Sequence, residues 1–375
     1  MSSPSPQTQV TTTPTTSDHD AGARADSWPD VLTDLVAGHD LTAARAAWAM
    51  DQVMAGEVAP TLLAGFLVAL RSKGETVEEL TGLADTMLAH ARRFTVEGPS
   101  VDIVGTGGDR HRTVNVSSMA AFVVAGAGLQ VVKHGNRAAS SASGSADVLE
   151  QLGIRLDQTP ERVQAIAGEA GITFCFAQVF HPSFRHTAAA RKDLGIATAF
   201  NFLGPLTNPA QPRATAVGCA DARMAPLMAG VLASRGGSAL LFRGADGLDE
   251  LAATSVSSVW EVRDGRVVAG ELDAAADLGL DRITIDDLRG GSASENAQVA
   301  RDVLAGATGP VRQTVVLNAA AAIVADGRLP GTVEGPLVAR LEAAMRIAER
   351  SIDEGAAAAT LERWARASSA DSASS

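Results

Sequence analysis

The sequence predicts an α/β fold: a small N-terminal α-helical domain, then a larger α/β domain with a mostly parallel central sheet. Between residues 28 and 94, apolar residues recur with helical spacing, and no segment alternates as a strand does. From residue 101 onward, short apolar runs alternate with helical segments, as in strands joined by covering helices. We therefore expect a helical domain at 27–95 and an α/β domain at 96–366. The flanking segments 1–26 and 367–375 are rich in Ser, Thr, Asp and Pro or Ala, and are predicted to be disordered tails.

Composition and charge limit the function classes. The chain has 375 residues, a hydrophobic fraction of 46% and a net charge of −12, which argues against general binding to nucleic acids or to membrane surfaces. No apolar run reaches the ~20 residues of a membrane span, and the first residues lack the basic flank and apolar core of a secretory signal. We expect a cytoplasmic protein in which Cys175 and Cys219, far apart in apolar segments, stay reduced.

The N-terminal segments carry helix signals. In SWPDVLTDLVAG, a serine in the N-cap position precedes Pro29, and apolar residues follow at Val31, Leu32 and Leu35. The segments LTAARAAWAMDQVMAG, VAPTLLAGFLVALRSKG and TVEELTGLADTMLAHARR repeat this pattern. Together they predict a helical bundle that packs by its Leu, Val, Met and Ala faces.

The α/β domain begins with a strand at 101–104 and a glycine-rich loop. We call residues 105–118, GTGGDRHRTVNVSS, the first loop. Glycines after a strand let the backbone turn and approach a ligand closely. The first loop ends where the helix MAAFVVAGAG begins, and a helix N-terminus offers free N–H groups to a phosphate. The glycine spacing by itself matches neither the dinucleotide fingerprint nor the P-loop.

A second strand, predicted at 129–132, is followed by residues 133–145, KHGNRAASSASGS, which we call the second loop. This loop holds Arg137, several serines and Lys133, which is one of only three lysines in the chain. An ammonium and several hydroxyls suit a phosphate, although a serine-rich surface turn has a similar composition. Two tandem strand–loop–helix units would bring both loops to the carboxyl edge of one sheet, where such ligands bind.

Later segments continue the alternation. TPERVQAIAGEAG and HPSFRHTAAARKDLG are predicted helices around the strand ITFCFA, and NFLGPLTNPAQP is a rigid loop. Further predicted strands are ATAVGCA, SALLFRG and a hairpin through Asp264-Gly265. Asp249 and Glu250 follow the strand SALLFRG, and adjacent carboxylates at a strand end are hard oxygen ligands suited to Mg²⁺. Without the two loops, such a pair is more often a solvated acidic turn.

The motifs GTGGD, NVSS, KHGNRAASSASGSADVLEQLG, RKDLGIATAFNFLGPLTNP and DGLDEL resemble those of the anthranilate phosphoribosyltransferase family. The resemblance extends over roughly residues 27–365. Val114 and Ser118 stand where the family more often has Phe and Thr, and Lys192-Asp193 stands in place of Arg-Glu. None of these differences removes a functional group considered below.

The resemblance implies an enzyme of tryptophan biosynthesis that transfers the phosphoribosyl group of phosphoribosyl pyrophosphate to anthranilate, with two Mg²⁺ ions per subunit and a homodimer formed through the helical domain. It assigns phosphoribosyl pyrophosphate to Gly105, Gly108, Asp109, Thr113, Asn115, Val116, Ser117, Ser118, Lys133, His134, Gly135, Asn136, Arg137, Ala138, Ala139, Ser140, Ser141 and Ser145. It assigns anthranilate to Gly105, Asn136 and Arg191, with His134 as a neighbour, and the metal to Ser117, Asp249 and Glu250. No acid or base catalyst is assigned.

Two alternatives share parts of this pattern. A pyrimidine-nucleoside phosphorylase has a similar helical domain and glycine-rich turn but uses inorganic phosphate and a nucleobase; KHGNR with the serine cluster and DGLDE favours the phosphoribosyltransferase. A non-catalytic relative would bind nucleic acid through a basic groove, against which the net charge of −12 and the intact acidic pair both argue.

Overall fold

The computed structural model describes residues 26–137 and 143–370. Its N-terminal part is a bundle of four helices: α1 (Trp28–Val36), α2 (Ala43–Ala55), α3 (Pro60–Lys73) and α4 (Val77–Ala89). The tail predicted at 1–26 lies outside the described residues except for Asp26.

Polar side chains fix where the bundle helices begin. The Ser27 hydroxyl accepts a hydrogen bond from the backbone N–H of Asp30 and caps α1, as predicted. Thr76 and Glu79 form a capping box at the start of α4. The buried Glu79 carboxylate also accepts hydrogen bonds from Leu41 N at 2.8 Å and Lys73 Nζ at 3.0 Å, so it ties the loop before α2 to the ends of α3 and α4.

A seven-stranded sheet forms the centre of the remaining chain, in the order β3-β2-β1-β4-β5-β6-β7. Its strands are β1 (Ser100–Gly105), β2 (Gln130–Gly135), β3 (Ile172–Phe176), β4 (Ala214–Gly218), β5 (Ser238–Gly244), β6 (Ser257–Arg263) and β7 (Arg266–Leu272). Strands β1 to β5 are mutually parallel, and β6 and β7 add to the edge in antiparallel fashion. The mostly parallel sheet and the hairpin are therefore confirmed; Asp264 and Gly265 both have positive φ, as a two-residue hairpin turn requires.

Eleven further α-helices in the described residues connect the strands and follow them: α5 (Val116–Gly126), α6 (Ser145–Gln151), α7 (Pro160–Ala170), α8 (Ala177–Phe180), α9 (Ala188–Leu194), α10 (Met224–Ser234), α11 (Ala274–Leu278), α12 (Ala293–Leu304), α13 (Pro310–Asp326), α14 (Leu337–Asp353) and α15 (Ala356–Ser369).

Apolar cores lie on both faces of the sheet. On one face α5, almost wholly buried, packs against α13, α14 and α15. On the other face, side chains of the helical bundle and of α10 share one core with the sheet residues Val104, Val217 and Leu241. The division at residue 95 stays a prediction, and the apolar core runs across it.

Three segments differ from the sequence predictions. Residues 181–195 were expected to form one helix, but Pro182–Thr187 is a 3₁₀ turn and α9 starts only at Ala188. Strand β2 runs to Gly135, beyond the predicted end at 132. Helix α15 continues to Ser369, inside the predicted tail, because the buried Ser368 hydroxyl accepts a hydrogen bond from Arg155 N at 3.1 Å.

Cys175 and Cys219 are free and buried, as expected. Among the described residues, none of the helices combines the length and the apolar character that crossing a bilayer requires.

Candidate active site

The first loop, the second loop and the acidic pair meet around one cavity of about 400 Å³ at the carboxyl ends of the parallel strands. The strand order reverses at β1: the successive strands β2 and β3 lie on one side of it, and β4 lies on the other. Such a switch point is where α/β sheets bind ligands. From the predicted set, the lining contains Gly105, Gly108, Asp109, Thr113, Asn115, Ser117, Lys133, His134, Gly135, Asn136, Arg137, Ser145, Arg191, Asp249 and Glu250.

The described residues do not bring every predicted residue into the lining. Val116 and Ser118 lie behind the cavity wall, because the first turn of α5 directs them into the core, where they are 0% and 2% exposed. Ala138, Ala139, Ser140 and Ser141 lie outside the described residues.

The acidic pair lies directly over the ends of two strands. A Cβ on Gly218 would lie 1.6 Å from the backbone oxygen of Asp249, and a Cβ on Gly105 would lie 2.5 Å from its Oδ2. Only glycine permits such a close approach. Gly107 N donates a hydrogen bond to Asp249 Oδ2 at 2.7 Å, so the first loop holds this carboxylate in place. Glycines of β1, β4 and the first loop thus create the space that the carboxylate occupies.

Three carboxylates crowd together at this position, and the nearby Lys133 ammonium offsets the raised pKa of Glu250 only in part. Burial and the neighbouring Asp109 carboxylate raise the pKa of Asp249 to about 7. Burial, together with Asp249 and Asp109, raises the pKa of Glu250 well above its ordinary value. The Asp109 Oδ2 atom is buried without a hydrogen-bond partner. A cation would relieve this repulsion and the unpaired oxygen.

The oxygen donors fit Mg²⁺, which prefers carboxylates, hydroxyls and phosphate oxygens. In the described part of the chain, no three His, Cys, Asp or Glu side chains already converge as a metal cage. A bound diphosphate would have to supply ligands, as is usual for Mg²⁺. The Ser117 hydroxyl, predicted as a ligand, accepts a hydrogen bond from Lys133 Nζ at 3.1 Å.

Lys133 lies in the floor of the cavity rather than at its mouth. Its side chain is 1% exposed, and Nζ donates to Ile103 O at 2.6 Å as well as to Ser117. Asp102, fully buried below it, accepts a hydrogen bond from Asn208 Nδ2 at 2.9 Å. Burial lowers the pKa of Lys133, and the Asp102 carboxylate opposes that shift. The oxygens of Ile103 and Ser117 hold the Lys133 side chain in a fixed position beneath the first loop.

The described part of the second loop is hydrogen-bonded to itself and to helix α6. Arg137 forms a bidentate pair with Glu150, both bonds at 2.7 Å, and a further bond with Asp147, which together raise its pKa. Asn136 Oδ1 accepts a hydrogen bond from Arg137 N, and Ser145 Oγ donates to Asn136 O at 3.3 Å. The Arg137 guanidinium, predicted to hold a phosphate, thus faces carboxylates in this structure.

Arg191 is a largely buried cation at the cavity that has no acidic partner among the described residues. It sits on α9, its guanidinium carbon lies 5.0 Å from the centre of the Phe184 ring, and burial lowers its pKa. No salt bridge within the described residues involves it. A guanidinium beside an aromatic ring suits a planar ligand that carries a carboxylate.

Two buried histidines complete this part of the lining. His134 Nδ1 lies 2.9 Å from Gly204 O, and His181 Nε2 lies 2.9 Å from Thr207 O. A carbonyl oxygen only accepts, so these nitrogens carry the protons, and His134 Nε2 and His181 Nδ1 are bare acceptors without partners. Burial lowers the two pKa values to about 4 and about 3, so both rings are neutral at pH 7.

Sequence reasoning missed several contributors. Gly107 acts through its backbone N–H, Phe184 joins the lining from the 3₁₀ segment, and His181 joins it from the position just before that segment. Asp102 was detectable in principle, because a carboxylate inside an apolar strand needs a buried partner. Asn208 gave no local signal beyond a turn residue.

Family models match almost the whole described chain. The α/β domain of a glycosyl transferase family matches residues 97–358, and the helical bundle domain of the same family matches residues 29–91. The anthranilate phosphoribosyltransferase of Arthrobacter sp. (strain FB24) is 60% identical over 349 residues, covering 93% of this chain and 98% of that protein. The one of Streptomyces griseus is 59% identical over 346 residues, covering 92% and 96%.

Solved structures of anthranilate phosphoribosyltransferases from other organisms have a similar fold. The anthranilate phosphoribosyltransferase of Thermus thermophilus superposes with a TM-score of 0.83 at 40% identity, covering 91% of this chain and all of that one. The Saccharomyces cerevisiae enzyme, in complex with PRPP and Mg, superposes with a TM-score of 0.81 at 26% identity, covering 91% and 98%. By the shared sequence, the two matching domains and the common fold, this chain belongs to the anthranilate phosphoribosyltransferases of the glycosyl transferase family.

Proposed function

We propose that this chain transfers the phosphoribosyl group of phosphoribosyl pyrophosphate to the amine of anthranilate, releasing pyrophosphate, in tryptophan biosynthesis. The observation that carries this proposal is the composition of one cavity. Phosphate-type loops and an acidic pair line it together with Arg191, a cation that lacks an acidic partner among the described residues. Two relatives that are named anthranilate phosphoribosyltransferase are 60% and 59% identical to this chain over the aligned residues.

Phosphoribosyl pyrophosphate is assigned to the two loops. Breaking the bond between the sugar's anomeric carbon and the pyrophosphate develops positive charge on the sugar and negative charge on the leaving group. Backbone N–H groups of the first loop, the N-terminus of α5 and the buried Lys133 ammonium are fixed before the reaction, so they stabilise the leaving group without reorganisation. The residues assigned from the sequence keep this role as a proposal, with Val116 and Ser118 limited to backbone contacts.

Mg²⁺ is assigned to Asp249 and Glu250, with Asp109 as a neighbouring oxygen donor. Relatives from yeast have been solved with Mg bound. Here the support is the cluster itself: Asp249 and Glu250 are buried beside Asp109, whose Oδ2 atom has no hydrogen-bond partner. When bound, the metal would neutralise charge on the pyrophosphate. We propose two ions per subunit, because the carboxylates offer more oxygens than one octahedral ion shared with a diphosphate would use.

Anthranilate is assigned to Arg191, together with Gly105, Asn136 and His134. A guanidinium pairs with a carboxylate through two parallel hydrogen bonds. The Saccharomyces cerevisiae relative has been solved with 4-fluoroanthranilate. The bare Nε2 acceptor of His134 can receive an amine N–H, which would orient the nitrogen lone pair toward the sugar. The amine needs no strong base, because its proton becomes acidic as the new bond forms.

The reaction itself is tested on the full chain. With Mg²⁺ and phosphoribosyl pyrophosphate, the protein should consume anthranilate and release pyrophosphate in equal amounts, and a chelator should stop both. The same protein should not release free base from thymidine or uridine in inorganic phosphate. Rapid nucleoside phosphorolysis without anthranilate turnover would establish the nucleoside phosphorylase instead. Retention on heparin at low salt would support the nucleic-acid-binding alternative.

We also propose a homodimer formed through the helical bundle. A groove of about 780 Å³ between α1 and α3 is lined by apolar residues, including Leu35, Ala64 and Leu194. At its rim Val36 is 80% exposed and Val68 40% exposed, which is unusual for large apolar side chains grouped together. Sedimentation should give twice the chain mass for the wild type and a monomer for Val68→Glu. A monomeric wild type would refute the proposal.

A further inference from the structure

One buried side chain outside both loops connects them to each other. Asn296, on the first turn of α12, is 3% exposed and does not line the cavity. Its Nδ2 donates to Asn115 Oδ1 of the first loop at 2.9 Å and to Ser143 Oγ of the second loop at 2.9 Å. Its Oδ1 accepts from Gly291 N at 2.8 Å. Both protons and the oxygen of this amide are therefore used in one junction.

The segment before α12 holds the first loop by backbone contacts as well. Thr113 and Arg289 form an antiparallel bridge, Val114 N donates to Leu288 O at 2.9 Å, and Gly290 N donates to Arg112 O at 2.8 Å. A Cβ on Gly290 would come within 2.8 Å of the Thr113 oxygen, so the two backbones are in direct contact. The first loop thus has a rigid support that extends through Gly291 to Asn296.

The two loops also contact each other at this junction, but only weakly. Asn115 Nδ2 donates to Ser143 O, and Ser143 Oγ donates to Asn115 Oδ1, both at 3.3 Å. The bonds from Asn296 are shorter, and they arise from a helix that belongs to neither loop. An amide buried at this point has few alternative partners, which makes the arrangement specific.

We propose that Asn296 is a positioning residue that holds the first and second loops at the separation needed to bind both ends of phosphoribosyl pyrophosphate at once. The proposal rests on the proposed function, because it concerns the same substrate. When the junction is present, Asn115 of the first loop and Ser143 of the second loop are already held together before the substrate arrives. When the junction is absent, the substrate has to order the two loops as it binds. The free energy needed for this ordering weakens the binding of the substrate.

The test is steady-state kinetics of the full-length variant Asn296→Leu, which keeps similar volume and removes every hydrogen bond of the amide. We expect the KM for phosphoribosyl pyrophosphate to rise about tenfold or more, since two or three buried hydrogen bonds are lost. At saturation kcat should stay within about threefold of wild type, and the KM for anthranilate within about twofold, because the ordering cost is then already met. A residue that only stabilised the fold would lower the melting temperature without this split.

Ser292→Ala is the matched control. Ser292 caps the same helix by accepting a hydrogen bond from Glu295 N, and it contacts neither loop in the described structure. We expect it to lower the melting temperature while leaving the KM for phosphoribosyl pyrophosphate unchanged. An equal rise in KM in Ser292→Ala, or an unchanged KM in Asn296→Leu, would overturn the proposal. If Asn296→Leu does not fold, Asn296→Ser, too short to reach both loops, replaces it under the same criteria.

A double-mutant cycle with Asn115→Ala adds an independent measurement. If Asn296 acts through the loops, its substitution should raise the KM less in the Asn115→Ala background than in wild type. Full additivity would overturn the proposal. Wild-type turnover of anthranilate is measured first and tests the function alone, so failure of the function and failure of the positioning role remain distinguishable.

Discussion

Arg191→Ala should weaken the binding of anthranilate far more than the binding of phosphoribosyl pyrophosphate. If Arg191 pairs with the anthranilate carboxylate, the variant loses a charge-assisted interaction of about 1.5 to 3 kcal/mol. This corresponds to a KM for anthranilate that is about ten- to a hundredfold higher. The fold should be affected little, because the guanidinium has no salt bridge within the described residues and gives up only its stacking on Phe184, worth about 0.5 to 1 kcal/mol.

The assay follows anthranilate fluorescence while each substrate is varied at saturating concentration of the other. Lys192→Ala is the control, because it removes an exposed charge from the next position of the same helix. Arg191→Lys should restore binding only in part, since an ammonium lacks the planar fork. An equal rise of both KM values in Arg191→Ala would refute the reasoning and assign Arg191 to the phosphates or to the fold.

Three further outcomes are expected. The double variant Asp249→Ala, Glu250→Ala should lose most activity and the Mg²⁺ dependence. Its melting temperature should stay the same or rise, because burial destabilises both charged carboxylates. As a control, substitution of the exposed Asp264 by alanine should match wild type in the same assays. Gly218→Ala should lower the free energy of unfolding by about 3 kcal/mol, measured in urea, because its Cβ would collide with backbone; an unchanged midpoint would contradict this. The pKa of His134 is lowered from its ordinary value to about 4, so its contribution to stability is complete above about pH 6.5 and is lost as the pH falls toward 4. At pH 5 that loss is about 2 kcal/mol, and His134→Asn should show a correspondingly smaller drop between pH 7 and pH 5.

Local sequence patterns were sufficient for the elements but not for their ends. Strand β2 was predicted to stop at 132, because Lys133 and His134 look like loop residues. In the sheet they pair with Phe174 and Cys175 of β3. Lys133 Nζ and His134 Nδ1 donate to Ile103 O, Gly204 O and the first turn of α5, which are distant in sequence. A rule based on local strand propensity does not include hydrogen-bond partners that only the tertiary fold brings close.

The same limit applies to the site. Glycines, serines and the acidic pair stand in contiguous motifs, so they could be predicted from local chemistry and from the resemblance. The role of Arg137 stays a prediction, and its carboxylate partners Asp147 and Glu150 were not foreseen because they lie on the following helix. Asn208 and Asn296 carry no local pattern at all. Each acts through a single buried amide that donates to at least one partner more than a hundred residues away.

The burial of α5 has a consequence for the timing of folding during synthesis. Its apolar surface is covered by α13, α14 and α15, and Gly126 packs so closely that a Cβ would lie 2.7 Å from Ala357 N. Those helices leave the ribosome roughly 200 residues after α5, which at about 5 to 20 residues per second means about 10 to 40 seconds. During this interval the central helix has to stay uncovered or be shielded by other proteins. Proteolysis of stalled nascent chains should therefore show protection of α5 only in lengths that include α13, and earlier protection would mean that another surface covers it.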